Sequence, residues 1–464
     1  MMTRQGRCVL PPDESGRVLD RLAGLEKVIT AGLVRQVLWR TKRANQRACT
    51  LTHEVMMWVV LAMGILTDLP IRQVFKHARR LRAGEDAPHR SSLCVARQRL
   101  GIRPLRCLFE EVVHPLARPE TPGAFYHGLR LMGIDGTVLN VPDSPDNAKT
   151  FGRPSGGDRG EGAFPQVRKL SLVELGTHVE VAFQVKPCTV SEQAMLPSLL
   201  RHVTPDMLVI WDRNFFSYEL WKTLNFSDIK LLARGKANLI LEPIERLSDG
   251  SYLAKIYPNA YARSKDRNGI VVRVIKYTIN DPQRVGHGEE HTLLTNLLDD
   301  KLYPAMELIC EYHERWEHEL VYDEQKTHQD PRRPTKPANL RSETPAGVIQ
   351  ELYALSLGHF VVRALMFEAA EREGLDPDRL SFTACFHILQ CRLPECDSRT
   401  ERSFRDWCKS LLWELGQERT EPRRNRINPR VIKQKISKWP KKRPEHRHPP
   451  RLTKTFAAAV VMVT

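Results

Sequence analysis

Between residues 129 and 233 the order of strand-like and helical runs restricts the chain to one class of fold. Apolar, strand-forming runs come first at 129–135, 167–175 and 178–185, the last two joined at Gly176, which reads as a hairpin turn. A helix capped by Ser191 is expected over 191–203, then a strand over 207–212, a helix over 217–224 and a strand over 229–233. Three strands followed by helix, strand, helix, strand make an α/β layout, in which the first three strands pair locally and the fourth joins by a crossover. Two of these strands end on an acid, Asp135 and Asp212. Strand ends carry side chains to the rim of an α/β sheet, where ligands bind, although an aspartate after a strand is also ordinary turn chemistry.

The flanks have a different texture. Residues 1–122 read as helical, with a buried helix over 51–69 and another helix over 105–116. Between them lie a basic stretch, His77-Ala-Arg-Arg-Leu-Arg82, and a short helix over 91–100 dressed by Arg90, Arg97 and Arg99. That helix reads either as a DNA reader or as a solvated surface helix of a bundle. Residues 236–298 break the α/β rhythm and form a β-rich stretch, with strands at 252–256, 270–279 and 291–296. One long charged helix is expected over 303–326, and an amphipathic helix with an apolar middle over 344–373.

Charge narrows the partners. The 464 residues carry a formal net charge of +16, which favours a polyanion. Residues 421–455 hold 13 Lys/Arg against two Glu, so +11 of that surplus sits in one terminal stretch and +5 on the rest. Such a tail adds sequence-independent DNA affinity, and its prolines argue against one continuous helix. The longest unbroken apolar runs, 55–66 and 456–463, are short of the roughly 18–20 residues that span a bilayer. Residues 1–10 lack the apolar core of a signal peptide. Cys385, His387, Cys391 and Cys396 cluster in sequence, but without the spacing of a common zinc module.

The 303–326 helix gathers chemistry on one face. At about 100° per residue, with Tyr312 at zero, Arg315 falls at about 300°, Glu319 at about 340° and Lys326 at about 320°, with Trp316 beside them at about 40°. An acid, two cations and a phenol then share an arc of roughly 60°. A solvated face with an i,i+4 ion pair has the same pattern, and Asp323 falls on the arc as well.

These residues resemble the bacterial insertion-sequence transposases of the DDE type, and within them the insertion sequence 4 family. The family signature is Tyr, two residues, Arg, three residues, Glu, six residues, Lys. It is matched at Tyr312, Arg315, Glu319 and Lys326. The first acid of the family stands in an Ile-Asp-Gly-Thr context, matched by Ile134-Asp135-Gly136-Thr137, and the second in Asp-Arg-x-Phe, matched by Asp212-Arg213-Asn214-Phe215. Phe151-Gly-Arg-Pro154 and Leu231-Leu-Ala-Arg234-Gly-Lys236 are further family-like segments. The similarity extends from about residue 51 to the basic tail.

The resemblance implies an RNase H-like mixed sheet flanked by helices, interrupted by a β-rich insertion and preceded by an N-terminal helical domain. The division it implies is 1–122 for the helical DNA-binding domain, 123–235 for the first part of the core, 236–300 for the insertion, 301–415 for the second part with its C-terminal helices, and 416–464 for the tail. It implies Asp135, Asp212 and Glu319 as catalytic residues and ligands of two Mg2+ ions, with Mn2+ able to substitute. Tyr312, Arg315 and Lys326 are expected on phosphates near the element end, and Trp316 on a displaced base. Arg213, Arg234 and Lys236, with Arg130, Arg168 and Lys169, are lesser candidates for phosphate contact. The implied activity is cut-and-paste transposition: binding terminal inverted repeats, cleaving at the element ends and joining the 3′-hydroxyls to target DNA. A homodimer in the synaptic complex and a nucleoid-associated place in the bacterial cytoplasm, with no membrane partner, complete the expectation. The rival readings are an RNase H-like nuclease or resolvase without strand transfer, and a non-catalytic DNA-binding descendant.

Overall fold

The computed structural model describes residues 20–44, 49–79, 86–154, 162–236, 238–282, 284, 287–330, 339–421 and 454–462. The basic tail lies almost wholly outside the described residues, as do Arg80 and Arg82. The described strands are β1 (Phe125–Tyr126), β2 (Leu129–Asn140), β3 (Gln166–Glu174), β4 (Val179–Pro187), β5 (Met207–Trp211), β6 (Lys230–Arg234), β7 (Glu245–Arg246), β8 (Tyr252–Ile256), β9 (Ile270–Ile279), β10 (Glu290–Thr295) and β11 (Val460–Met462). The chain divides into two units, one of residues 1–124, 136–200 and 318–421, the other of 125–135, 201–317 and 422–464.

The first unit is built on two buried helices. The His53–Ile65 helix starts where the Thr52 hydroxyl accepts the Val55 N–H at 3.1 Å, and every residue from Glu54 to Ile65 is buried. It packs against the Pro345–Glu373 helix. Their close approach depends on Gly64, where a Cβ would meet the Ala354 carbonyl oxygen at 1.9 Å. The long helix is capped by Thr344 and stopped by Gly374 in the left-handed region. It is not the amphipathic element expected: from Ala354 to Arg363 every residue is buried, because neighbours pack on all its sides. It is long and apolar enough to cross a bilayer, but 83% of its most apolar window is buried inside the protein, which makes it a core helix.

Further details differ from expectation in this unit. The Arg90–Leu100 helix is capped by His89. Its Arg97 does not dress the surface. It is buried and donates to the Gly347 carbonyl (2.6 Å) and Gln350 (2.9 Å) of the long helix, while Arg90 and Arg99 are exposed. The antiparallel β3–β4 hairpin turns at Gly176 as expected, and the residue with positive φ is His178 (+60°). Gly176 also serves close packing, since a Cβ there would meet Ala124 at 2.5 Å. The helix expected over 191–203 is two short pieces, Glu192–Met195 and Pro197–Leu200; a proline needs no N–H donor as the second piece begins.

The second unit carries a mixed sheet. The first half of β2 pairs in parallel with β5, and β5 in parallel with β6. β10 then adds antiparallel to β6, with Leu293 opposite Arg234, followed by β9, β8 and β7. The β-rich stretch therefore extends the edge of the core sheet. β11 adds to the other part of β9, with Val460 opposite Ile279. The Tyr218–Phe226 and Ala305–His313 helices pack on β6. This mixed sheet flanked by helices fits the RNase H-like layout expected.

Candidate active site

The two strand-associated acids are neighbours. β2 and β5 run in register with Ile134 beside Trp211, so Asp135 and Asp212 follow at the same level on adjacent strands, about 4.8 Å apart in the hydrogen-bonding direction. Both are half-buried. Local sequence explains each. Met207–Trp211 is buried at every position, which fixes β5 inside the sheet. The chain then leaves it at once, as Asp212 Oδ1 accepts the Arg213 N–H at 2.7 Å and caps the single 3-10 turn Arg213–Phe215. Asp135, expected at a strand end, lies within β2, which the strand-forming Thr137 to Leu139 carry on to Asn140.

Two adjacent carboxylates call for a cation between or beside them. Arg315 answers with Nη1 3.4 Å from Asp135 Oδ2. Burial pushes the Tyr312 phenol up to about 12; Arg315 opposes that rise, Asp212 adds to it and Arg234 opposes it. Tyr312 is therefore a neutral O–H donor at neutral pH. Asp135, Asp212, Tyr312, Arg315 and Arg234 thus form one group in the second unit. Arg234 also donates to His291 Nδ1 at 3.0 Å, Lys236 donates to the Phe216 carbonyl at 2.9 Å, and Arg213 is exposed.

Glu319 and Lys326 belong to the first unit. Glu319 is half-buried on the Trp316–Asp323 helix, which Trp316, also half-buried, begins. Lys326 Nζ donates to Thr137 Oγ1 (2.7 Å) and to the Val138 carbonyl (3.1 Å). The single helix expected over 303–326 is not observed, so the shared 60° arc does not hold as drawn. The Ala305–His313 helix closes in i→i−3 turns, with Glu314 N–H on Glu311 and Arg315 N–H on Tyr312. After Trp316–Asp323 the winding widens to a π-helical turn over Glu324–Gln329.

Two of the lesser cation candidates lie elsewhere. Lys169 is 2% exposed, paired to Glu180 at 2.7 Å inside the first unit, and is not offered to a phosphate. Arg130 lies five residues before Asp135 on β2, about 16 Å down the strand, with its guanidinium over Phe125. Arg168 is half-buried and pairs with Glu192 at 3.0 Å. That Glu192 was not singled out by the sequence, where it reads only as a first-turn acid after the Ser191 cap. Its carboxylate packs on Gly136, the residue after Asp135.

Adjacent aspartate oxygens are hard donors of the kind that divalent metals take, and the positive guanidinium beside Asp135 marks where charge is wanted. A mixed sheet with paired aspartates at one level, served by a Tyr-x-x-Arg segment, is consistent with the expected DDE-type enzyme of DNA strand cleavage and transfer. Residues 19–110 match the family described as Insertion element 4 transposase N-terminal, and residues 127–344 the family described as Transposase DDE domain. The transposase InsG for insertion sequence element IS4 of Escherichia coli K12 is 28% identical over 430 residues, covering 90% of this chain and 93% of that protein. A cryo-EM structure of a piggyBac transposase synaptic complex with hairpin DNA matches with a TM-score of 0.43 at 12% identity, covering 86% of this chain and 87% of that one. The chain belongs to the insertion sequence 4 family of DDE transposases. Membership implies dependence on a divalent metal and DNA as partner.

Proposed function

We propose that the protein moves an insertion sequence by cut-and-paste transposition. It binds the terminal inverted repeats, cleaves at the element ends and joins the exposed 3′-hydroxyls to target DNA. The observation that carries this reading is the pairing of Asp135 with Asp212 at one level of adjacent parallel strands, with Tyr312 and Arg315 beside them. Glu319 is the third acid, and the three would hold two Mg2+ ions, for which Mn2+ could substitute. Bound there, the ions supply a lowered pKa for the nucleophile and charge neutralisation of the leaving oxygen.

In the first reaction a water oxygen bonds to phosphorus and the P–O3′ bond breaks, leaving a 3′-hydroxyl on the element. In the second that hydroxyl attacks a target phosphodiester, and a target 3′-oxygen leaves and takes up a proton. The chain's own residues bind and orient. Tyr312 donates its O–H to a phosphate oxygen, Arg315 forks onto a phosphate, and Lys326 supplies a point charge. Trp316 stacks on a displaced base. Arg213, Arg234 and Lys236 add phosphate contacts along the same sheet edge. Cutting two ends together calls for a homodimer in the synaptic complex, working on nucleoid DNA in the cytoplasm.

Strand transfer from pre-cleaved element ends tests the reading. The wild-type protein joins these ends to target DNA, whereas a resolvase-like enzyme would only hydrolyse. Asp135→Asn, Asp212→Asn and Glu319→Gln each lower joining by at least about 1,000-fold, some 4 kcal/mol of barrier, while end binding stays within a few-fold. Joining that survives these changes, or binding that falls in parallel with it, refutes the assignment.

A further inference from the structure

The π-helical turn over Glu324–Gln329 is an uncommon winding, in which the Asp330 N–H reaches back five residues to the Gln325 carbonyl at 3.1 Å. Such turns are disfavoured and persist where something outside the helix holds them. Here three buried side chains of the turn are anchored inside the first unit. Glu324 accepts from Arg363 Nε (3.0 Å) and from His359 Nε2 (2.9 Å), and its other oxygen touches Arg363 Nη2. Gln325 accepts from Lys169 Nζ (2.9 Å) and donates to Glu180 (3.3 Å). Gln329 donates to the Gly64 and Leu355 carbonyls at 2.8 and 2.9 Å, and its own carbonyl accepts from Thr67 at 2.6 Å.

The cost of this arrangement points to its purpose. Burying the Glu324–Arg363 and Lys169–Glu180 pairs gains little stability over apolar packing of the same volume. It does fix one winding. On that winding Lys326 reaches Thr137 and Val138, two and three residues beyond Asp135 on β2.

We infer that Glu324, with Gln325 and Gln329, is a positioning device that sets Lys326 beside the strand carrying Asp135; this rests on the proposed phosphate role of Lys326. The anchors touch no DNA. They act through the winding of the turn, so their loss should reproduce the loss of the lysine.

The test is a double-mutant cycle on the full-length protein, with DNA carrying the element's own ends, reading end cleavage and the salt dependence of binding. Lys326→Ala slows cleavage at least tenfold and makes log K against log salt shallower by about 0.9, one phosphate contact. Glu324→Gln gives the same two changes, and the double variant is no worse than Lys326→Ala within twofold. Because Glu324→Gln strands Arg363 in the interior at a cost to folding, Gln329→Leu, which removes no charge, repeats the cycle with thermal unfolding as the check on folding. Folded Glu324→Gln or Gln329→Leu protein with the wild-type slope, or losses that multiply with Lys326→Ala, overturns the positioning role. An unchanged slope in Lys326→Ala itself instead overturns the phosphate contact, and the positioning role with it.

Discussion

Gly136 owes its identity to a side chain across from it. It is not among the glycines with positive φ, so turn geometry does not explain it. A Cβ at this position would lie 2.3 Å from Glu192 Oε1 and 2.8 Å from its Cγ. Glu192 is not free to swing aside, because Arg168 holds it at 3.0 Å while donating to the Cys188 carbonyl at 3.0 Å. Gly136→Ala must therefore break the Arg168–Glu192 pair or displace β2 directly after Asp135. We expect this variant to cleave element ends about tenfold more slowly, roughly 1.4 kcal/mol of barrier. Adding Glu192→Ala, which opens the space, should recover most of the rate. A single variant as fast as wild type, or a double variant no faster than the single, would detach Glu192 from the site.

At the level of elements, the closing segment of the chain is tied to the helix that bears Tyr312. β11 pairs with β9, and Phe456 just before it stacks on His313 with ring centroids 4.0 Å apart. Arg284 lies over the other partner, its guanidinium 5.5 Å from the Phe456 ring. Burial pulls the His313 pKa down to about 4; Arg284 and Arg315 add to the fall and Glu317 opposes it. The folded state thus binds this proton less readily than the unfolded chain, whose histidine titrates near 6.5. Stability is unaffected above that pH and declines as pH falls from about 6.5 toward 4, by up to about 3 kcal/mol. His313→Phe keeps the stack and removes the proton site, so its thermal midpoint should fall less than wild type between pH 7 and pH 4.5. Equal losses in both proteins would exclude His313 as the cause.

The same elements mark what could be read from sequence. The strands β2 to β6 and β8 to β10 were legible because apolar runs bounded by Gly, Asn and Asp leave few alternatives, whereas the two-residue β7, Glu245–Arg246, is exposed and has no such run. Sequence placed Asp135 and Asp212 at strand ends, but that their strands are parallel neighbours is seen only in the sheet. The breaks around Glu314 and Glu324 were not legible. Neither contains proline or glycine, and the second depends on Arg363 and His359, which are 35 residues or more away in sequence. Lys169 was misjudged for a related reason. Its strand β3 is buried at most positions, so alternation does not separate an inner from an outer face, and the partner Glu180 sits on the next strand.

Each of the two units holds some of the residues proposed for the chemistry. The second holds Asp135, Asp212, Tyr312 and Arg315, and the first holds Glu319 and Lys326. The chain passes between them at 135–136, inside β2, and at 317–318, inside the helix of Glu319. The reading requires that the DNA-bound enzyme unite all three acids about one metal pair. Anomalous diffraction from crystals of the protein with its element ends and Mn2+ tests this directly. Two manganese peaks about 3.5–4 Å apart are expected, with Asp135, Asp212 and Glu319 all supplying oxygen ligands. Manganese bound by the two aspartates while Glu319 stays out of reach, or bound by none of the three, would contradict it.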